Sequence, residues 1–285
     1  MNRIVLKDIP LEPNPFSGWV SRIHRVFFGL FLLQFALVWT RLWLPQPPFG
    51  NAGWPDGLLL VLATATVLAS LTRQLPGQNV MLAAIIIAFF AGAVETLGAL
   101  TAIPFGPFAY TSEIGQQLFY PLPWAVPMIW LVALLASRGV ARLVLRPWRN
   151  TPNYGFRLIG LATLLVVLLD FGLEPFAIQV KHFWQWNPTK LRFDWYTAPC
   201  TNFLGWAVAT LLILAFVTPA LIHKRPMTQP PPDYHPLIVW LLLNLLFATG
   251  AAVHQLWPAV LLISLAGVVV TAFAVRGARD PGQAL

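Results

Sequence analysis

Long apolar runs alternate along the chain with short polar or proline-rich breaks. Eight of the runs approach the roughly 20 residues that an α-helix needs to cross a bilayer: 23–44, 57–72, 80–102, 122–145, 157–176, 203–222, 236–254 and 257–275. The second is short, and the last two are joined tightly around 255–258, so seven crossings is the alternative count. The pattern predicts an all-α polytopic membrane bundle, with residues 1–285 forming a single transmembrane domain. No stretch between the runs is long enough for a soluble domain, and no internal repeat is visible. The third run meets Pro104, which biases Ile103 away from the helical region and ends the helix there. A turn of Gly, Pro and aromatic residues follows and predicts an aromatic hairpin over the helix mouth.

Composition agrees with this. The chain is 58% hydrophobic and 10% charged, with a mean hydropathy of +0.69, against about a quarter charged in soluble domains. A net charge of +8 would suit a nucleic-acid partner, but the distribution of the charge argues otherwise. With the N-terminus inside, every Lys and Arg except Arg41, Lys181, Lys190 and Arg192 falls on one side. Cytoplasmic loops rich in Lys and Arg explain that bias. It places both termini in the cytoplasm of a protein of the inner or plasma membrane, and nucleic acid is not an expected partner. Residues 1–22 contain Asp8 and Glu12 but no apolar core, so they do not read as a cleavable signal peptide. Residues 223–235 read as a semi-extended linker. The single cysteine, Cys200, excludes an internal disulfide, and no Cys/His spacing suggests a metal.

Chemistry enters with three acids inside apolar runs: Glu95 in the third, and Asp170 and Glu174 in the fifth. A carboxyl at such a depth costs several kcal/mol unless it is neutral, paired or facing a cavity. Asp170 and Glu174 are four apart and share a helix face, so the pair is expected to share a proton. Both helices run outward, which brings all three acids within one to two turns of the same outer surface. A structural role remains open, above all for Glu174 beside Pro175, where an acid can snorkel to water. The loops 103–121 and 177–202 on that side are dense in aromatics. Trp184, Trp186, Trp195 and Tyr196 are interfacial belt residues by default, or else walls of a site. His24 and His254 read as interfacial, Gln34 and Asn244 as hydrogen bonds between helices, and Cys200 as structural. Nucleotide, phosphate, zinc-protease and serine-hydrolase motifs are absent, as are aspartate-rich prenyl-diphosphate motifs.

Three blocks in order resemble a known family. Glu95-x-x-Gly98 followed by Pro104-Phe105-Gly106-x-Phe108-x-Tyr110, then Asp170-x-x-x-Glu174-Pro175, then Trp195-Tyr196-Thr-Ala-Pro199-x-x-Asn202-Phe203-x-Gly205-Trp206, are similar to signatures of membrane-bound carotenoid hydratases of the bisanhydrobacterioruberin hydratase type. The departures are Ala102 and Thr197-Ala198, where the family has glycine, Phe108 for Tyr, and Glu174 for Asp. The resemblance implies cofactor-independent hydration of a terminal isoprenoid double bond of an acyclic carotenoid. Asp170 or Glu95 would be the acid, with Glu174 as partner. Phe105, Tyr110, Trp184, Trp186, Trp195, Tyr196 and Asn202 would contact substrate. The implied partners are a carotenoid, the lipid bilayer and other carotenoid-pathway enzymes. A membrane carotenoid cyclase would need the same proton donor and is the first alternative. A proton-coupled transporter or lipid carrier is the second.

Overall fold

A computed structural model describes residues 16–44, 53–188, 193–222 and 231–279. The N-terminal segment 1–15 and most of the 223–235 linker lie outside the described residues. Eight helices cross the length of the described molecule, and each is long and apolar enough to span a membrane. They are α1 (Phe16–Arg41), α2 (Trp54–Thr72), α3 (Gly77–Thr101), α4 (Ala125–Val144), α5 (Tyr154–Pro175), α6 (Cys200–Val217), α7 (His235–Val253) and α8 (Trp257–Arg279). This is the all-α polytopic bundle that the run pattern predicts, with eight rather than seven crossings. The ends differ by a few residues because caps, not hydropathy, set them. Thus α3 stops at Thr101. Ala102 adopts the left-handed conformation, and its N–H closes the last turn on the Gly98 carbonyl at 2.8 Å.

α4 is the axis of the bundle and packs on α2, α3, α5, α7 and α8. Every residue from Trp130 to Arg138 is buried. The one ionisable side chain within that stretch is Arg138, whose guanidinium donates to the Leu221 carbonyl at 3.0 Å. The outward faces of the peripheral helices are apolar instead. Met81, Ile85 and Phe89 on α3 and Leu261, Leu265 and Val268 on α8 are more than half exposed, the arrangement required where lipid is the solvent. Gln34 bonds between helices, from α1 to the Pro55 carbonyl of α2 at 2.8 Å. Asn244 does not: its amide returns to Trp240 of its own helix. His24 is buried edge-on against His235, 4.2 Å between ring centroids, because α7 begins beside it.

At the other end the two aromatic loops pair with each other. β1 (Phe108–Tyr110) runs antiparallel to β4 (Trp184–Trp186), with Phe108 opposite Trp186 and Tyr110 opposite Trp184. The expected hairpin over α3 is therefore a ribbon between two loops, while the hairpin proper lies just downstream, where β2 (Gln117–Phe119) pairs with β3 (Leu122–Pro123). Side chains alternate across a strand, so Ala109 and Gln185 face outward and the four aromatics face the bundle. A third short ribbon, β5 (Asp194–Trp195) with β6 (Ala198–Pro199), leads into α6.

Candidate functional site

Two features of backbone chemistry shape the mouth of the bundle. Pro175 has no N–H to give to the carbonyl of Phe171, one turn earlier. The indole N–H of Trp195 takes that carbonyl instead, at 2.9 Å. Beyond Pro175 the chain widens into a π-helical turn, Phe176–Val180, which delivers it to β4. The second feature is a wedge. The ring of Phe105 lies between Gly98 of α3 and Gly205 of α6, and a Cβ at either glycine would sit 2.6 Å from a ring carbon. The two motif glycines are thus the slot for the motif phenylalanine.

The three acids converge beneath the ribbon, and none reaches solvent: Glu95 is 6% exposed, Asp170 and Glu174 1% each. Glu95 accepts from the Tyr110 hydroxyl at 2.6 Å on Oε2 and from the Trp130 indole at 2.7 Å on Oε1. Burial, and then the Glu95 carboxyl beside it, push the Tyr110 hydroxyl well above its ordinary value, so Tyr110 remains a donor. Glu174 accepts from Trp184 at 3.1 Å and Trp186 at 2.9 Å, both on Oε2. The amide of Asn202, at the start of α6, bridges the pair on α5. It donates to Glu174 Oε1 at 2.9 Å and to Asp170 Oδ2 at 3.0 Å. Asp170 Oδ1 is buried and has no hydrogen-bond partner among the described residues. Glu174 therefore does not snorkel; it is enclosed by donors.

Two cavities meet at these acids. The larger, about 650 Å³, runs between α2, α4, α5 and α7 under the 112–116 segment. That is the size of a ligand pocket, and its walls are mainly aliphatic and aromatic. Of the carboxyls along it, Glu113 is exposed and Asp56 is paired with Lys181 at 2.8 Å. Asp170 is the buried one. The smaller cavity, about 30 Å³, is lined by Glu95, Glu174, Asn202, Tyr110 and the indoles of Trp130, Trp184 and Trp186, among others. Ile129 and Trp206 line both. Trp206 stacks on Trp130 with ring centroids 3.8 Å apart and planes 5° from parallel. The site therefore presents carboxyls, indole faces, an apolar pocket and a small chamber of about one water's volume edged by carboxyl, phenol and amide groups.

A family model described as carotenoid biosynthesis protein matches residues 56–270. The chain belongs to that family. It is also 28% identical, over 136 residues, to the bisanhydrobacterioruberin hydratase of Haloarcula japonica. The match covers 46% of this chain and 43% of the relative, so the chain spans less than half the length of that protein. No solved structure matches the chain.

Within this family member, Glu95, Asp170, Glu174, Phe105, Tyr110, Trp184, Trp186 and Asn202 gather at one place. Trp195 and Tyr196 stand apart. The first caps the Phe171 carbonyl, and the hydroxyl of the second lies 3.4 Å from the Ala259 amide. Trp130 and Ile129 join the site without having been singled out from sequence, and Trp206, which closes the third motif block, joins it without having been given a role there. A tryptophan inside the apolar run of α4 was the available signal. Cys200 is free and exposed at the start of α6.

Proposed function

We propose that this protein is a hydratase that adds water across the terminal isoprenoid double bond of an acyclic carotenoid end group. The observation that supports this reading best is the clustering of three buried carboxyls where an apolar pocket that suits a greasy substrate, lined by Asp170, adjoins a small chamber lined by Glu95 and Glu174. Hydration of a trisubstituted alkene needs an acid for one carbon, stabilisation of a tertiary cation on the other, and a held water. A positioned carboxyl serves the first need, at Asp170 or Glu95. The indole of Trp206, which borders the large cavity and is stacked on Trp130, serves the second through the negative face of its ring. Glu174, beside Asp170, serves the third as partner. The net reaction is alkene plus water to alcohol, so its balance requires no oxidant or reductant. The family and the name of the Haloarcula relative point the same way.

With the Lys and Arg bias, the proposal extends to a protein of the inner or plasma membrane with both termini in the cytoplasm, taking substrate from the bilayer among other carotenoid enzymes.

The test is co-expression with a lycopene-producing pathway, followed by mass analysis of the extracted carotenoids. Products heavier by one or two waters are expected. An isomer of unchanged mass and shifted absorption would replace the hydratase with a cyclase, and unaltered lycopene would refute action on this end group.

A further inference from the structure

The two cavities and the hydrogen bonds at their junction differ in a way that divides the work among the three acids. Indole and amide N–H groups only donate. Glu174 faces three of them, and Glu95 faces one together with the Tyr110 hydroxyl. These are the surroundings of carboxylates. Asp170 receives a single donor, on Oδ2, and its Oδ1 is buried without a partner among the described residues. It is also the acid that lines the large apolar cavity, whereas Glu95 and Glu174 line the small one.

We infer that Asp170 is the proton donor to a substrate end lodged in the large cavity, and that the small chamber is the water site, where Glu174 is the base and Glu95 the anchor. This assignment rests on the hydratase reading and refines it. Glu174 Oε1 carries one donor and both Glu95 oxygens carry one each, so all three keep a lone pair for the hydrogens of a water. Trp206 and Ile129 border both cavities, so the two lie side by side, and the substrate end would meet the water where they adjoin.

The steps balance. The Asp170 proton goes to the CH carbon of the terminal dimethyl-alkene, whose π pair becomes the new C–H bond and leaves the cation on the dimethyl carbon. A lone pair of the chamber water forms the C–O bond, and one water proton passes to Glu174. Glu174 hands that proton back to Asp170, with which it shares the Asn202 amide, by direct carboxyl-to-carboxyl transfer; the amide only donates and does not carry it. The sum is one water added and both acids restored.

Deuterium separates the roles. Membranes carrying the full-length protein are supplied with lycopene in D2O, and both product and recovered lycopene are analysed by mass. Wild type gives product with one carbon-bound deuterium per water added. Asp170→Asn, which can still accept from Asn202, is expected to lower product by about 10²–10⁴-fold and to leave recovered lycopene free of deuterium. Asp170→Glu restores part of the incorporation. Glu174→Gln and Glu95→Gln also lose product, but the cation they form reverts by proton loss, so recovered lycopene gains deuterium. Lycopene co-purifying with each variant, read by its absorption, reports an intact cavity. Deuterium in lycopene recovered from Asp170→Asn overturns the assignment. So does its absence from both glutamine variants when they retain lycopene. Wild type that hydrates nothing overturns the hydratase reading itself.

Discussion

The wedge formed by Phe105 between two glycines makes a prediction whose sign changes with context. In Gly98→Ala the new Cβ would lie 2.6 Å from ring carbon Cδ2 and 3.1 Å from Cε2 of Phe105. Overpacking of that kind costs about 1–3 kcal/mol. Against it stands the preference of a helix interior for Ala over Gly, about 1 kcal/mol, so the net loss expected in wild type is about 0–2 kcal/mol. Gly205→Ala meets the opposite edge of the same ring at the same 2.6 Å and should behave alike. Phe105→Ala alone opens a buried space and should cost about 3–5 kcal/mol. Once the ring is gone the clash is gone with it, and Gly98→Ala in the Phe105→Ala background should then stabilise by up to about 1 kcal/mol. The two effects of one substitution differ by the clash term, a coupling energy of about 1–3 kcal/mol, which is the quantity a double-mutant cycle isolates. Thermal unfolding in detergent followed by tryptophan fluorescence reads all four proteins. Equal effects of Gly98→Ala in the two backgrounds would refute the slot and leave these glycines unexplained.

Further predictions concern separate parts of the molecule. Tyr110→Phe removes a hydroxyl donor 2.6 Å from Glu95; a hydrogen bond to a charged group contributes about 1.5–3 kcal/mol, and product formation from lycopene should fall roughly 10–150-fold if that bond acts in turnover. Wild-type rates in the variant would assign Tyr110 to packing alone. At the start of α7, burial works to raise the Asp233 carboxyl, but hydrogen bonds from His235 and Ser70 outweigh it and hold the group well below its ordinary range. Such a group adds stability above about pH 4, its unfolded value, and loses it as pH falls towards the folded value. Asp233→Asn should therefore flatten the decline in melting temperature on acidification, and an unchanged acid limb would contradict this. Finally, Cys200 is the single cysteine and is exposed. A charged, membrane-impermeant maleimide should label it in intact cells, whereas labelling only after lysis would reverse the proposed orientation.

The helices were legible because hydropathy is a local property: each apolar run announces its span whatever its neighbours do. The acids were legible for the same reason, since a carboxyl inside such a run has few bland explanations. The ribbon over the site was not. Phe-Ala-Tyr and Trp-Gln-Trp each alternate across three residues, too short a signal to separate from a loop, and their partners are 76 residues apart in the chain. Asn202 carried a motif resemblance, but its bridging role depends on where the α6 start meets α5. Trp195 shows the converse. Its aromatic character suggested a substrate wall, whereas a missing N–H at Pro175 gives it a backbone carbonyl to hold. That relation is invisible without the turn that brings 195 back to 171.

The donors that hold the three acids are all uncharged: a phenol, three indoles and one amide. Guanidinium or ammonium groups would have held the carboxyls more strongly, but they would also have cancelled their field. Neutral dipoles fix a carboxylate in place and leave its negative potential standing in a medium that screens poorly. The donors on these acids thus leave an electrostatic well for positive charge. In the proposed reaction a transient carbocation would lower its energy there without competing against a cationic side chain hydrogen-bonded to the same carboxyls, and a hydrocarbon that never becomes charged would not be retained by it.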